Sequence, residues 1–147
     1  MIKIQYKHLK NTSDFLLNTI TAKGKKNIHR MRVVKVLQEK NDKVGEEELE
    51  LLKEYAKTDE NEEFVRLPNG NLDIEDPKTF KSQQESLYDE YFMIDDKNLV
   101  PALNTVEKLV NDFDKELSGK QAEAHFILVE AFENKKEENN ENGKDDE

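Results

Sequence analysis

Apolar residues are spread thinly along this chain, and no apolar run is longer than four residues. Over most of the sequence they recur every three or four positions, the spacing that places side chains on one face of an α-helix. One such stripe contains Leu103, Val106, Val110 and Phe113, with no charged residue on the same face. The pattern predicts amphipathic helices that pack their apolar faces around a single core.

Two short segments have the composition of strands. Near the start, Ile2 and Ile4 alternate with polar residues, and residues 91–94 form a run of four apolar residues. Asp76-Pro77 has the chemistry of a helix start, because aspartate caps free amides and proline fits the first turn. We therefore expect an α+β, mainly α fold in which amphipathic helices surround a minimal sheet.

The helical spacing also predicts which side chains face the core. The second helix begins after Gly24 and meets another glycine, Gly45, after which the apolar spacing resumes. One long helix with a weak point and a pair of helices are both consistent with this pattern. The residues expected to face the core on the second and the last helix are Ile28, Met31, Val34, Leu37, Ala122, Phe126 and Val129.

A β-hairpin is predicted in the most polar part of the middle of the chain. Residues 64–67 and 71–74 flank the sequence Pro-Asn-Gly at positions 68–70, which favours a tight turn. We expect the partner-binding surface within residues 58–76, because this segment has no counterpart in the similar patterns at the two ends of the chain. The candidate partner-binding residues are Phe64, Arg66, Asn69 and Asp73.

Both ends of the chain have the predicted order strand–helix–helix. Shifted by 90 residues, the apolar positions of residues 2–20 align with those of residues 92–110. After a connection five residues longer, residues 24–37 align with residues 119–132. A pseudo-symmetric duplication explains this match, and so does the general similarity of amphipathic helices, so both interpretations stay open here.

The pattern implies one folded domain followed by a tail. We expect residues 1–133 to fold as a unit, in which residues 1–44 and 91–133 are the repeats and residues 45–90 are a hairpin-bearing insertion. Residues 134–147 contain no apolar residue and are rich in acids and asparagine. Such a segment buries nothing to offset its ordering entropy, so we predict a disordered acidic tail.

Composition and motifs exclude most kinds of reactive site. The chain has no cysteine, which rules out disulfides and thiolate metal sites. Its three histidines lack the spacing of a metal-binding pair, and no serine elbow or phosphate-binding glycine loop occurs. No apolar stretch is long enough for a signal peptide or a membrane span. We expect no enzyme activity, no cofactor, no metal and no membrane contact.

Six basic residues lie within 13 positions, but the chain as a whole has a net charge of −10. They could contact a phosphate backbone, although no aromatic side chain lies among them to stack on bases. The favoured interpretation is a solvated helix whose bases neutralise nearby acids such as Glu46, Glu47, Glu48 and Glu50. Nucleic acid is therefore not an expected partner. The six bases are Lys23, Lys25, Lys26, Arg30, Arg32 and Lys35.

Three segments resemble a known family. Residues 1–4 (MIKI), 46–56 (EEELELLKEYA) and 114–119 (DKELSG) are similar to those of a family of uncharacterised small proteins, a domain of unknown function, from tailed phages and prophages of Gram-positive bacteria. The resemblance covers nearly the whole folded part. It implies a phage origin, and it assigns no chemical role to any residue.

Together these observations lead to three hypotheses. The first is a soluble, acidic, non-enzymatic phage accessory protein that binds and inhibits a host protein, such as a defence protein, in the host cytoplasm. The second is a minor virion or tail-assembly component. The third is nucleic-acid binding through the basic helix at residues 23–35. The identity of the partner and the oligomeric state do not follow from the sequence.

Overall fold

The computed structural model describes the backbone of residues 1–145 and the side chains of residues 1–135. A short 3₁₀ turn follows each of its two strands and leads into a helix. The predicted α+β, mainly α architecture is confirmed. The strands and α-helices are β1 (Ile2–Gln5), α1 (Leu9–Asn18), α2 (Lys25–Tyr55), α3 (Pro77–Asp89), β2 (Tyr91–Ile94), α4 (Val100–Asp112) and α5 (Gly119–Asp145).

The two predicted strands form a two-stranded antiparallel sheet. Ile2 lies opposite Ile94, and Ile4 lies opposite Phe92. Ile2, Ile4 and Ile94 are buried, whereas Met93 is exposed, because alternate side chains of a strand point to opposite faces. The sheet therefore packs one face on the helices and leaves the other to solvent.

Four helices pack on one another and on this sheet to form the core. Helix α1 packs on α2 and α5, and α4 packs on the same two helices. The predicted stripe on α4 is buried at Leu103, Val106 and Val110. Phe113, the last residue of that stripe, lies just past the end of α4 and is half-buried against Phe15, at a centroid distance of 5.8 Å.

Three residues that were predicted to face the core face solvent. Ile28 is 52% exposed, Met31 is 38% exposed and Phe126 is 60% exposed. The buried side of α2 instead includes His29, whose Nδ1 lies 2.7 Å from Thr105 Oγ1. On α5 the small Ala124 occupies the buried side. A polar residue and a small one contribute little to an apolar pattern, so the pattern included exposed positions, although Val34 and Leu37 of α2 are buried as predicted.

Helix α2 is a single helix that passes through Gly45 without a break. Its 31 residues span about 46 Å, because an α-helix rises about 1.5 Å per residue. Val44 is the last residue of α2 in the main core. We call residues 45–90, which comprise the rest of α2, the segment after it and α3, the arm. Residues 1–44 and 91–133 are called the body.

The two segments of the body have the same order of elements. In each, a strand leads through a 3₁₀ turn into a helix, and a glycine then begins a second helix. Gly24 and Gly119 occupy equivalent places with φ angles of 60° and 57°, where a side chain would strain the backbone. The strand register is also unchanged when the two segments are exchanged by the 90-residue shift. A common origin of the two segments stays a prediction.

The predicted tail overlaps the end of α5. The helix passes residue 134 and continues to Asp145. The side chains after residue 135, and residues 146–147 altogether, lie outside the described residues. Disorder of residues 134–147 therefore stays a prediction.

Candidate interaction surface

The segment between α2 and α3 is closed by a ring of three main-chain hydrogen bonds. The Val65 amide donates to the Lys57 carbonyl (3.0 Å), Lys57 donates to Asp73 (2.9 Å), and Asp73 donates to Val65 (2.9 Å). Lys57, Val65 and Asp73 follow one another at intervals of eight positions, so the two segments that connect them are equally long. We call residues 56–76 the knob. Its three isolated bridges pair Ala56 with Ile74, Thr58 with Phe64, and Arg66 with Leu72.

The predicted hairpin is only partly correct. Arg66 and Leu72 do pair across the predicted turn. Phe64, however, pairs with Thr58, and Ile74 pairs with Ala56. The strands of a simple hairpin would continue to pair with each other, but here each segment changes partner at the ring. Main-chain hydrogen bonds between residues distant in the sequence determine this arrangement. The pattern of side chains does not predict such bonds.

Two of the predicted partner-binding residues stabilise the turn that carries them. The Arg66 guanidinium donates from Nη1 to the Gly70 carbonyl at 2.8 Å. The Asn69 side-chain oxygen accepts from the Asn71 amide at 3.0 Å, the local turn that asparagine favours. Both side chains are exposed, so they also belong to the surface that a partner would meet.

The other two predicted residues lie closer to the ring. Phe64 is half-buried at the Thr58 bridge. The Asp73 carboxylate lies 3.7 Å from the Lys57 ammonium group. The structure therefore brings all four predicted residues into one knob, and their part in binding a partner stays a prediction.

Sequence reasoning did not find an open apolar groove between the knob, α2 and α3. The groove has a volume of about 520 Å³. It is formed by residues between Glu48 and Gln84, which are far apart in the sequence, so no local pattern indicates it. Glu48, Asn71, Asp73 and Gln84 supply polar atoms around it. Its apolar lining residues are Leu52, Leu67, Leu72, Ile74, Pro77 and Phe80.

Local chemistry fixes the start of α3 beside this groove. Asp76 caps the helix as predicted, since its carboxylate accepts from the Thr79 amide (3.3 Å) and from the Thr79 hydroxyl (2.6 Å). Pro77 occupies the first turn, where its missing amide is not needed. Asp76 has a φ of 48°, a conformation that aspartate and asparagine tolerate better than most residues.

A tyrosine joins α3 to α2 farther along the arm. Tyr88 is half-buried, and its hydroxyl hydrogen-bonds to Glu48. Burial, and then the hydrogen bond to and the negative charge of Glu48, raise the pKa of Tyr88 to about 12. The neutral hydroxyl is therefore the form that holds the two helices together.

The arm has a strongly negative net charge. Residues 45–90 contain fifteen acidic and five basic side chains, a net charge of −10. The remaining residues contain eighteen of each sign and are neutral in sum. A second depression between α2 and α3, of about 380 Å³, is lined by Glu47, Glu50, Glu54 and Glu90 with two leucines. The field around the arm therefore attracts cationic groups.

The basic residues at the other end of α2 are not neutralised by the acids of the arm, contrary to the sequence prediction. Lys25 and Glu46 lie about 31 Å apart along the continuous helix, because 21 residues separate them. Among the described side chains no ion pair joins the two groups, and Lys35 pairs only with Glu39 at 3.9 Å. Arg30 turns to the body and donates to the Leu16 carbonyl at 2.7 Å.

His125 and His8 interact with other groups of the folded chain. His125 Nε2 lies 2.9 Å from the Val110 carbonyl oxygen. Burial lowers the pKa of His8, and the positive charge of Lys7 lowers it further. Among the residues that the structure describes, no group of three histidine or acidic side chains could hold a metal ion. Within the same part of the chain, no helix is long and apolar enough to cross a membrane.

Comparisons with known proteins identified no similar protein. No protein-family model, no curated protein and no solved structure matches this chain. The phage family suggested by the resemblance therefore stays a prediction, and the arm is the surface from which a function can be proposed.

Proposed function

We propose that this protein is a non-enzymatic binding protein whose arm docks a basic segment of another protein. One observation carries the proposal: the arm has a net charge of −10 and contains an apolar groove. Charge of one sign brings a partner of the other sign to the surface, and an apolar groove holds it there.

The groove defines what the partner must present. Leu67 is 42% exposed at its edge, while Phe80 and Leu72 form more buried parts of its lining. An apolar side chain that fills the groove gains about 1.5–3 kcal/mol from burial. Glu48 and Asp73 at the groove are placed to meet lysine or arginine side chains of the same segment.

The construction of the arm also favours binding. The main-chain ring and the Asp76 cap hold the knob and α3 in place before a partner arrives. A surface that is already ordered loses less conformational entropy when it binds. The sequence resemblance extends the proposal to a phage protein that occupies and inhibits a host protein in the host cytoplasm.

The test is affinity purification from lysates of Gram-positive bacteria with three matched baits. The baits are the wild-type chain, Leu67→Glu at the groove, and Phe126→Glu, which places the same charge at an exposed apolar position of the body. We expect one stoichiometric partner on the wild type and on Phe126→Glu, and a loss of about tenfold or more on Leu67→Glu. Circular dichroism checks that each bait is folded.

Two outcomes would overturn the proposal. Equal recovery on the wild type and on Leu67→Glu would show that the groove does not bind the partner. No recovery above background from any lysate would show that the arm has no such partner there. The recovered protein should also dissociate as salt is raised, because screening weakens contacts between exposed charges.

A further inference from the structure

The outer side of the first turns of α2 is a second charged surface. Ile28 and Met31 lie exposed in its centre, and Lys25, Arg32 and Lys35 flank them. Lys25, Ile28, Arg32 and Lys35 follow one another at intervals of three or four positions, and Met31 lies four positions before Lys35, so the five residues share one stripe of the helix. The opposite side of the same turns is buried in the body. We call this stripe the basic face.

The basic face lies in the most cationic part of the molecule. Residues 1–44 contain eleven basic and three acidic side chains, a net charge of +8. Among the described side chains Lys25 and Arg32 form no ion pair, and the Lys35–Glu39 pair is exposed and long at 3.9 Å. An acidic partner surface could therefore pair with Lys25 and Arg32 without the cost of breaking an existing ion pair.

The apolar centre of this face favours a protein partner over nucleic acid. Ile28 and Met31 give a phosphate backbone nothing to bind, and residues 23–35 contain no aromatic side chain on which a base could stack. An apolar centre with a charged rim is the usual composition of a surface that binds protein. The partner should present acids around an apolar depression.

The arm has that composition, with acids around a groove and a net charge of −10. The arm and the basic face lie toward opposite ends of one unbroken helix of about 46 Å. A continuous helix cannot fold back on itself, so the two complementary surfaces of one molecule cannot meet. They can meet only between two copies of the chain.

We propose that the basic face docks into the acidic arm of a second copy of this chain, head to tail. The inference rests on the proposed function, since the arm supplies one side of the contact, and it names the chain itself as a partner. Each copy keeps a free basic face at one end and a free arm at the other. Such a contact is heterologous and adds further copies unless the rotation between them closes a ring.

A charge-swap experiment with the full chain tests this arrangement by sedimentation velocity at low ionic strength. The first variant reverses the basic face with Lys25→Glu, Arg32→Glu and Lys35→Glu, and it keeps an intact arm. The second variant reverses the arm and keeps an intact basic face. Its substitutions are Glu46→Lys, Glu47→Lys and Glu54→Lys, all at exposed positions of α2.

The expected result for each sample depends on whether it contains both an intact basic face and an intact arm. The wild type should sediment as species larger than a monomer and should dissociate at high salt. Each variant alone should be monomeric, because it has lost one of the two complementary surfaces. An equimolar mixture should associate again, since the intact arm of the first variant can take up the intact basic face of the second. Circular dichroism checks the folding of both variants.

Three results would overturn the inference. They are a wild type that is monomeric at low salt, a mixture of variants that stays monomeric, and an oligomer that survives both reversals. A gel shift with duplex DNA and RNA supplies a separate readout. Binding that is lost in the first variant, together with a monomeric wild type, would assign the basic face to nucleic acid.

The proposed function can be tested independently of self-association. If the wild type is monomeric and Leu67→Glu still loses its lysate partner, the arm binds a different protein and only self-association is wrong. If the chain self-associates and no other partner is recovered, the second copy is the partner of the arm and the host-protein proposal fails.

Discussion

Twenty buried apolar residues form one continuous cluster in the body, whereas the arm buries only Ala56 and Phe80. Leu87 and Tyr88 of α3 pack half-buried against that cluster, and the arm is held further by the ring at residues 57, 65 and 73, the Asp76 cap and the bond of Tyr88 to Glu48. Burial of apolar surface supplies most folding free energy, while a hydrogen bond near solvent adds little net stability. The comparison therefore places the stability of the chain in the body.

The same comparison separates stability from recognition. The body packs twenty apolar residues into its core, and its charges outside residues 1–44 are mostly acidic. The arm exposes apolar side chains around its groove and has three times as many acids as bases. A substitution in the body should change the free energy of unfolding, and one in the arm should change mainly what the surface binds.

The largest expected effect is on the body, and a pair of leucines tests it. Leu37 is fully buried on α2, so Leu37→Ala should lower the free energy of unfolding by about 2–5 kcal/mol, through lost burial and the cavity left behind. Leu67→Ala makes the same change at an exposed position of the arm and should cost about 0.5 kcal/mol or less. Urea denaturation of both variants measures the difference. Equal midpoints would show that the arm contributes to the core as much as the body does.

A smaller effect is expected at the cap that orders the arm. Asp76→Ala removes the acceptor of the Thr79 amide and leaves alanine at a left-handed backbone angle, at a cost of about 0.5–2 kcal/mol. Amide exchange should accelerate in the first turn of α3 and stay unchanged in α1 and α4. Asp76→Asn keeps an acceptor and tolerates the angle, so it should restore most of the protection. Acceleration throughout the body would mean that the two regions unfold together.

The smallest expected effect is a pH dependence that arises in the arm. The folded pKa of Tyr88, about 12, lies above the ordinary tyrosine value of about 10, so the folded state binds this proton more tightly. Its contribution to stability is complete below pH 10 and is lost as pH rises from about 10 to 12. Urea midpoints across this range should fall less steeply for Tyr88→Phe than for the wild type. Tyr91→Phe, at an exposed position of β2, is the matched control and should follow the wild type.

Sequence patterns predict the body well because its elements depend on local periodicity. The strands at residues 2–5 and 91–94 and the buried stripe of α4 follow directly from the spacing of apolar residues. The faces of α2 and α5 follow only in part, as at the buried Val34 and Leu37, since apolar residues occur on both sides of each helix there. Met31 and Phe126 are exposed, while His29 satisfies its polarity through Thr105 on a neighbouring helix. Only the packed structure shows that such a partner exists.

The arm divides into predictable and unpredictable parts in the same way. The Asp76-Pro77 helix start and the turn at residues 68–70 depend on adjacent residues, and the sequence reports both. The ring and the groove depend on residues far apart, and no short pattern encodes them. The separation of charge along α2 also required the structure, since it depends on the helix continuing through Gly45.

The ring in the knob has a consequence for how this protein can change over generations. Its three bonds join backbone amides to backbone carbonyls, so no particular side chain at Lys57, Val65 or Asp73 is required to make them. Residues 58–64 and 66–72 connect the three ring residues. These two loops can therefore vary in composition while the ring keeps its shape. Under the proposed binding function, substitutions there would alter specificity without first destroying the scaffold, so the knob would suit a lineage that must follow a changing target. For the same reason it suits the grafting of short recognition sequences in the laboratory.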